Sequence, residues 1–484
     1  MHPLAEVQPY PRVIAVDLDH TLIKSDTLHE QLVRFVFQKP HLLPQLVSAL
    51  LQGKVAFKAF CADTIVLDPE NLHACADILA YLREEKERGS YVVLCTAADQ
   101  RVAQVVADHL GIFDEVIGTV DAGNLKGETK AETLAKRFPG GFIYAGDHAA
   151  DLAVWMKAQG IILVGASASV ARRARALGKP VLAEFRPRSQ APSRLRVWAR
   201  ALRVHHWSKN VLMLVPLILA HKWDDSGLIL RTLFGFVLLL LMTSSTYLIN
   251  DLADLDADRG HPTKRRRPIA SGSLPLMHAM VFPVVVIPLV LIAAVLLSPA
   301  FAVALATYLA VTLGYSFGLK RIPLLDTFII GVLFTLRLVM GVALLGGTMP
   351  IWLITFSMFF FFSLATAKRY AEIVQVRATA GGSLKARGYE VDDWPIALAF
   401  GVGAGLGSLV ILVLYMVDEA FRVVGYSRPE YLWGVTLLVA VWIGRIWLLT
   451  HRGKMHDDPV SFALTDGPSR GIAVLIALLF FIAL

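Results

Sequence analysis

Beyond about Val211 the sequence is a succession of apolar runs, each close to the roughly 20 helical residues that cross about 30 Å of hydrocarbon. This feature constrains the chain more than any other, because runs of this kind read as membrane-spanning helices. The residues before about Arg200 read instead as an ordinary soluble α/β protein. A mean hydropathy of +0.56 averages the two parts, and 484 residues leave room for two or three domains. The opening stretch, MHPLAEVQPYPR, has no apolar core and is not expected to act as a secretory signal. Cys61, Cys75 and Cys95 all fall in the soluble part without metal-ligand spacing, which fits a reduced, cytosolic setting. A net charge of +8 would suggest nucleic acid only if the cations formed a soluble patch. They gather beside the apolar runs, where they report topology and anionic lipid, so no nucleic-acid partner is expected.

The soluble part alternates strand-like runs (Val13–Asp17, Tyr91–Thr96, Phe142–Asp147, Ile161–Val164) with amphipathic helical stretches, the pattern of a doubly wound parallel sheet. Roughly residues 25–88 carry no strand signal and read as an inserted helical cap. The expected domains are 1–183 for the α/β part, 184–207 for a linker, and 208–484 for a membrane bundle. The linker holds Pro187, Pro192 and a run of arginines from Arg186 to Arg203. It reads as a basic surface helix resting on an anionic leaflet, or equally as a solvated charged linker.

Nine spans are expected, near 208–222, 229–249, 276–297, 299–317, 324–346, 350–367, 395–417, 430–450 and 468–484. The even-numbered loops carry Arg259, Lys264, Arg265, Arg266, Arg267, Lys320, Arg321, Lys368, Arg369, Arg377, Lys385, Arg387, Arg452 and Lys454. The opposite loops carry only Lys222, Arg422 and Arg428. The positive-inside rule then puts the even-numbered loops and the soluble part on the cytosolic side.

The first strand runs into Asp17-Leu18-Asp19-His20-Thr21. Carboxylates at the carboxyl end of a parallel strand stand where such sheets place their ligands. One of two acids so spaced can attack phosphorus while the other protonates the leaving oxygen. Thr96 closes the second strand, where its hydroxyl can hold a phosphate oxygen. Lys130, in NLKGETKAETL, offers a cation for the same phosphate, with Lys126 as a rival. Asp147 and Asp151 form GDxxxD and offer hard oxygen ligands for Mg²⁺. These four pieces resemble the haloacid dehalogenase (HAD) phosphohydrolase superfamily over nearly all of residues 10–180. The resemblance implies Asp17 as nucleophile, Asp19 as general acid/base, Thr96 and Lys130 as phosphate binders, and Mg²⁺ held among Asp17, Asp19, Asp147 and Asp151.

The second span ends in Asn250-Asp251-Leu252-Ala253-Asp254-Leu255-Asp256-Ala257-Asp258. Steps of three and four residues put Asp251, Asp254 and Asp258 on one helical face beside Asn250, while Asp256 points elsewhere and is expected to be solvated. Like charges so placed call for a divalent cation. Arg259, His261, Lys264, Arg265, Arg266 and Arg267 follow at once, cations suited to phosphate. NDxxDxxxD at a membrane boundary resembles the first aspartate motif of the UbiA superfamily of intramembrane prenyltransferases, and the resemblance spans roughly 200–484. It implies nine helices around a cytosol-facing cavity in which Mg²⁺ bridges carboxylates to a diphosphate. A matching element in the second half is Tyr315-Ser-Phe-Gly-Leu-Lys320-Arg321 with Asp326. Arg337 lies deep in the fifth span, which marks it as functional by default. Arg445 reads as snorkelling.

Within that superfamily Asp258–Pro268, the YSxxLK run with Asp326, Lys368-Arg369-Tyr370-Ala371-Glu372, Trp207-Ser-Lys209-Asn210 and Asp458-Pro459 resemble the decaprenyl-phosphate phosphoribosyltransferase branch. Val204 departs from it, standing where that branch usually has proline. The aromatic prenyltransferases carry a second aspartate cluster, and here only Asp326 stands at its place. The resemblance implies transfer of ribose 5-phosphate from phosphoribosyl diphosphate to a polyprenyl phosphate, with the HAD part removing the 5-phosphate. Lys264, Arg267, Lys320 and Arg337 would bind phosphate, while Asn250, Tyr315, Asp326 and Lys209 would contact substrate. The setting implied is a bacterial inner or plasma membrane with both sites on the cytosolic side; a homo-oligomer is compatible with all of this. The rival expectation is transfer of a prenyl group from its diphosphate to an aromatic acceptor, with the HAD part regulatory or acting on another phosphate ester.

Overall fold

The computed structural model describes residues 12–120, 123–185, 193–222, 224–346, 350–378, 383–384, 387–420, 426–455 and 459–483. Of the positions singled out above, the segment before Arg12 and Arg186, Pro187, Arg188, Pro192, Lys385, Arg422 and Asp458 lie outside the described residues. The chain divides into two compact units, Met1–Leu202 with Leu248–Phe282, and Arg203–Tyr247 with Pro283–Leu484.

In the first unit, six strands pair in parallel in the order β3-β2-β1-β4-β5-β6: β1 (Val13–Val16), β2 (Tyr91–Asp99), β3 (Glu115–Thr119), β4 (Ile143–Gly146), β5 (Gly160–Val164) and β6 (Val181–Phe185). Side chains alternate between the two faces of a strand, and here both faces are covered. Four helices separate β1 from β2: α1 (Thr27–Gln38), α2 (Leu43–Gln52), α3 (Lys54–Thr64) and α4 (Ala76–Glu87). The first three form the cap around Phe35, Leu46, Cys61 and Ile65. Asp26 starts α1 by accepting from the His29 N–H. α4 instead packs Ile78, Leu79 and Leu82 on Ile14, Val16, Val92 and Leu94, joined there by α5 (Gln100–Leu110). The opposite face buries Ala15, Val93, Cys95, Ile161 and Leu163 under α6 (Glu128–Arg137), α7 (Leu152–Lys157) and α8 (Ala168–Arg175). Each such fully buried large side chain contributes about 1.5–3 kcal/mol. The two strands absent from the sequence expectation, β3 and β6, are the two edges of the sheet. An edge strand buries fewer residues, so its apolar signature is weaker.

After α9 (Arg194–Ala201) the chain makes 3₁₀ turns over Val204–Leu214 and a short α10 (Val215–Leu219) before the long α11 (Ser226–Ala253). α9 exposes Arg194, Arg196 and Arg200 but buries Val197 and Ala201. These two pack with Val33 of α1, with Leu248 and Leu252 at the end of α11, with Leu255 of α12 (Leu255–Gly260), and with Leu276 and Ala279 at the start of α13 (Leu276–Leu297).

The second unit adds α14 (Pro299–Phe317), α15 (Leu325–Leu345), α16 (Ile351–Ala378), α17 (Trp394–Tyr415), α18 (Leu432–His451), α19 (Pro459–Thr465) and α20 (Gly467–Ala483). Close helix approach is built in at Gly341, where an added Cβ would stand 2.2 Å from the Met213 carbonyl oxygen. Among the described residues, seven helices are long and apolar enough to cross a membrane, not the nine expected. The first expected span, 208–222, consists of 3₁₀ turns and one short helix that starts at Val215, with Pro216 in its first turn. The last is α20, whose 17 residues reach only about 25 Å at about 1.5 Å per residue.

Candidate functional site

Asp17 and Asp19 follow β1 directly, at the carboxyl end of the central strand. The Asp17 backbone N–H donates to the Ala145 carbonyl at 3.0 Å, and Asp17 Oδ1 accepts from the Leu18 N–H. α6 brings Lys130, 2% exposed, to 3.0 Å from Asp17 Oδ1. Lys130 also donates to the Tyr144 hydroxyl at 2.9 Å, which in turn donates to Asp151 Oδ1 at 3.2 Å. Asp151 Oδ2 accepts from the N–H groups of Asp147 and His148, and Asp147 accepts from the Thr21 hydroxyl. One ligand oxygen from each of Asp17, Asp147 and Asp151 falls within 4.8 Å of the others. The Asp19 carboxylate stands outside this trio and accepts from the Thr27 N–H at 2.8 Å.

Burial raises the Asp147 carboxyl to about 7, helped by the charges of Asp151 and Asp17. Burial and Asp17 also push Asp151 upward. Three carboxylates gathered this closely are a fitting cradle for a divalent cation. Asp19 is raised to about 8 by burial and then by Asp26 and Asp17, against the opposing Thr27 N–H, which leaves it protonated near neutrality. For Lys130, burial opposes the charge, but Asp17 and Asp151 outweigh it and keep the ammonium form. These groups line a cavity of about 530 Å³. Lys126 lies on the same wall. Thr96 is fully buried, and its neighbours Ala97, Ala98 and Asp99 form the wall in its place. The cap supplies residues that no sequence motif marks. Lys58 of α3 donates to the Ala97 carbonyl and Asn124 Oδ1, both at 2.6 Å, and His29 and Lys54 join the lining. A cation in a helical insert has no local signature, so only the tertiary fold identifies these positions.

The second set of carboxylates belongs to the same unit. α11 carries Asn250 and Asp251 in its last turn and stops at Ala253. Asp254 interrupts the helix, and α12 resumes with buried Leu255. Hydrogen bonds from Asp254 N–H to Asn250 O and from Asp258 N–H to Asp254 O preserve the four-residue spacing across the break. Asp251 and Asp258 are both buried, and Arg267 Nη1 bridges them at 3.1 and 2.6 Å. Among the described residues Asp258 Oδ1 is buried without a hydrogen-bond partner, and Lys264 Nζ stands 4.0 Å away. An orphaned carboxylate oxygen is the kind of ligand a divalent cation completes. Asp254 accepts from Asn250 Nδ2 at 3.2 Å. Two expectations change here. Asp256 is not simply solvated, because Arg34 of α1 donates to it at 2.5 Å. Arg259 is not available for phosphate, because it is buried and directed at Glu30.

In the second unit Asp326 is fully buried. It accepts from Arg369 Nε at 2.9 Å and from the Tyr389 hydroxyl at 2.7 Å. Arg337 is buried and donates to Asn210 Oδ1, the Leu333 carbonyl and the Tyr308 hydroxyl, with its guanidinium over the Phe334 and Tyr308 rings. Among the described residues no carboxylate pairs with it. Tyr315 accepts from Arg387 Nη1 at 2.5 Å, and both line a cavity of about 70 Å³ with Lys368, Arg369 and Glu372. Lys320 and Lys209 are half-buried and lie outside that lining. Arg445 does not snorkel. It makes a two-pronged pair with Asp466 at 2.7 and 3.0 Å, because Asp466 follows α19 within its reach.

Comparison with known proteins adds two family matches. Residues 211–466 match the UbiA prenyltransferase family, and residues 14–155 match the haloacid dehalogenase-like hydrolases. An uncharacterized protein, y4nM of Sinorhizobium fredii, is 42% identical over 97% of this chain and 90% of its own length. Nodulation protein NoeC of Azorhizobium caulinodans is 32% identical over 56% of this chain and 88% of that protein. Decaprenyl-phosphate phosphoribosyltransferase of Corynebacterium glutamicum is 37% identical over 36% of this chain, a match that takes in 54% of that enzyme.

Proposed function

This chain belongs to the UbiA prenyltransferase family and carries a haloacid dehalogenase-like hydrolase part ahead of it, and from that premise we propose a two-step enzyme that builds a lipid-linked ribose. It is an integral membrane protein and a transferase. In the first step a polyprenyl phosphate oxygen attacks the anomeric carbon of phosphoribosyl diphosphate. A carbon–oxygen bond forms, the bond to the diphosphate breaks, and the electron pair leaves with the diphosphate. Asp251, Asp258 and Asp254 would hold Mg²⁺, which would supply positive charge to that leaving group. Arg267 and Lys264, already gathered around Asp258, provide further cations for its oxygens. Lys320, Arg337, Tyr315, Asn250 and Lys209 are assigned to substrate contact.

In the second step Asp17 attacks the 5-phosphate of the product, and the ribose O5 leaves with a proton from Asp19. Asp19 then takes a proton from the water that hydrolyses the aspartyl-phosphate. Lys130 balances the charge on Asp17 and the phosphoryl group. Asp17, Asp147 and Asp151 would hold Mg²⁺ here. Both centres are assigned to the cytosolic side.

One observation favours this reading over prenyl transfer to an aromatic acceptor. Asp326, the acid that would open a second metal site, is engaged by Arg369 and Tyr389. The deciding assay offers purified protein radiolabelled phosphoribosyl diphosphate with polyprenyl phosphate, beside labelled prenyl diphosphate with 4-hydroxybenzoate. Lipid-phase label is expected from the first pair. Product from the second pair alone would overturn the assignment.

A further inference from the structure

One turn of helix joins the two sets of catalytic carboxylates. α1 begins at Thr27, whose backbone N–H donates to Asp19 Oδ1 at 2.8 Å. Three residues later Glu30, with no exposed surface, receives both terminal nitrogens of Arg259, at 3.0 Å to Oε2 and 2.7 Å to Oε1. Arg259 directly follows Asp258 and also donates to the Asn71 and Ala270 carbonyls. A turn further along α1, Arg34 donates to Glu30 at 2.8 Å and to Asp256 at 2.5 Å. The cap helix of the hydrolase part therefore grips α12 on both sides of Asp258.

We propose that Glu30 is a positioning residue for the transferase, holding Arg259 so that Asp258 and Asp251 stand in register for the metal–diphosphate. The proposal rests on the reading of Asp251 and Asp258 as metal ligands. A two-pronged carboxylate–guanidinium contact fixes orientation as well as distance. A buried ion pair contributes little net stability compared with apolar packing, and the apolar contacts of Val33, Leu252 and Leu255 already join these segments. What the polar network adds is angular definition of α12. That definition matters because among the described residues Asp258 keeps one buried oxygen without a hydrogen bond, with Lys264 Nζ 4.0 Å away, a costly arrangement that relaxes if α12 can turn. Since Thr27, whose N–H holds Asp19, and Glu30 share the first turn of α1, a shift of the cap at the hydrolase centre is transmitted to the aspartate motif.

The test uses the full chain in detergent micelles with Mn²⁺ as probe, its binding followed by electron paramagnetic resonance of the free ion. In an Asp147→Asn background, which disables the hydrolase trio, the motif site alone remains. Asp251→Ala should abolish that site, and Glu30→Gln should weaken it at least tenfold. With Asp147 intact, Glu30→Gln should leave the Mn²⁺ affinity of the hydrolase site unchanged, which shows that the fold survives. Binding that persists in Asp251→Ala would sink the metal reading and this proposal together. Loss in Asp251→Ala with no weakening in Glu30→Gln would overturn the positioning role alone. Should Glu30→Gln lose both sites through misfolding, Asp256→Asn, at a half-exposed position, is judged by the same tenfold criterion.

Discussion

Lys130 Nζ stands 3.0 Å from Asp17 Oδ1, with Lys130 almost wholly enclosed. In the proposed hydrolase reaction, a buried ammonium beside Asp17 would offset two negative charges at once, that of the carboxylate and that of the phosphoryl group approaching it.

Removing either partner therefore has different consequences. Lys130→Met leaves Asp17 beside Asp151 and Asp147 without compensation, and should cost about 3–5 kcal/mol of stability in addition to phosphatase activity. Asp17→Asn keeps size but removes the carboxylate proposed as nucleophile. Supplied with polyprenyl phosphate and phosphoribosyl diphosphate, Asp17→Asn should accumulate lipid-linked ribose 5-phosphate, where the wild type yields lipid-linked ribose. The products differ by nearly two charges at neutral pH, since a phosphomonoester has its second pKa near 6. Mass analysis of the lipid phase separates them; identical phosphorylated product from both would detach the hydrolase from this lipid.

At the membrane motif, Asp251→Ala and Asp254→Ala should lower transfer by at least about 100-fold, the scale of losing an electrostatic contact to a departing anion. Asp256→Ala should cost only a few fold, through Arg34 and α12 instead of through the metal. Initial rates at saturating Mg²⁺ distinguish the two classes. Equal loss in all three variants would contradict the roles assigned to them.

Glu30 predicts a pH signature. Burial alone would raise its carboxyl, but hydrogen bonds and charge from Arg259, with help from Arg34, outweigh burial and hold it below the usual 4.5. Its folded pKa is thus the depressed one. The stability it contributes is fully present above about pH 4.5 and is lost as pH falls through the folded value. Melting curves between pH 7 and 3 should show a steep acid decline in the wild type, and that decline should be shallower in Glu30→Gln. Parallel curves would argue against an ionised Glu30.

For topology, single reporter cysteines at Ser193 and His261 should react with an impermeant maleimide from the cytosolic side, and one at Arg428 from the opposite side. Labelling of all three from one side would break the assigned span order.

Much of this was legible in the linear chain. DLDHT and GDHAAD pointed to the hydrolase family that residues 14–155 match, because acids at strand ends are local features, and NDLADLDAD at the end of an apolar run pointed to the prenyltransferase family. Apolar length marked seven membrane helices among the described residues, while 208–222 forms 3₁₀ turns and a short α10 and α20 has only 17 residues. Helical spacing also separated Asp251, Asp254 and Asp258 from Asp256, and that separation survives the interruption at Asp254.

The partners of charged residues were decided only by the tertiary fold. Nothing near Arg259 in sequence distinguishes it from Arg267, yet one is directed at Glu30 of the cap and the other at Asp251 and Asp258. Arg337, Arg369 and Arg445 likewise differ only in what surrounds them once the helices pack. The reason is physical. Which elements form, and which carboxylates share a helical face, follows from backbone geometry and periodicity over a few residues. The fate of a charge depends on desolvation and on counter-charges brought from tens to hundreds of residues away, and those are settled only when the chain closes on itself.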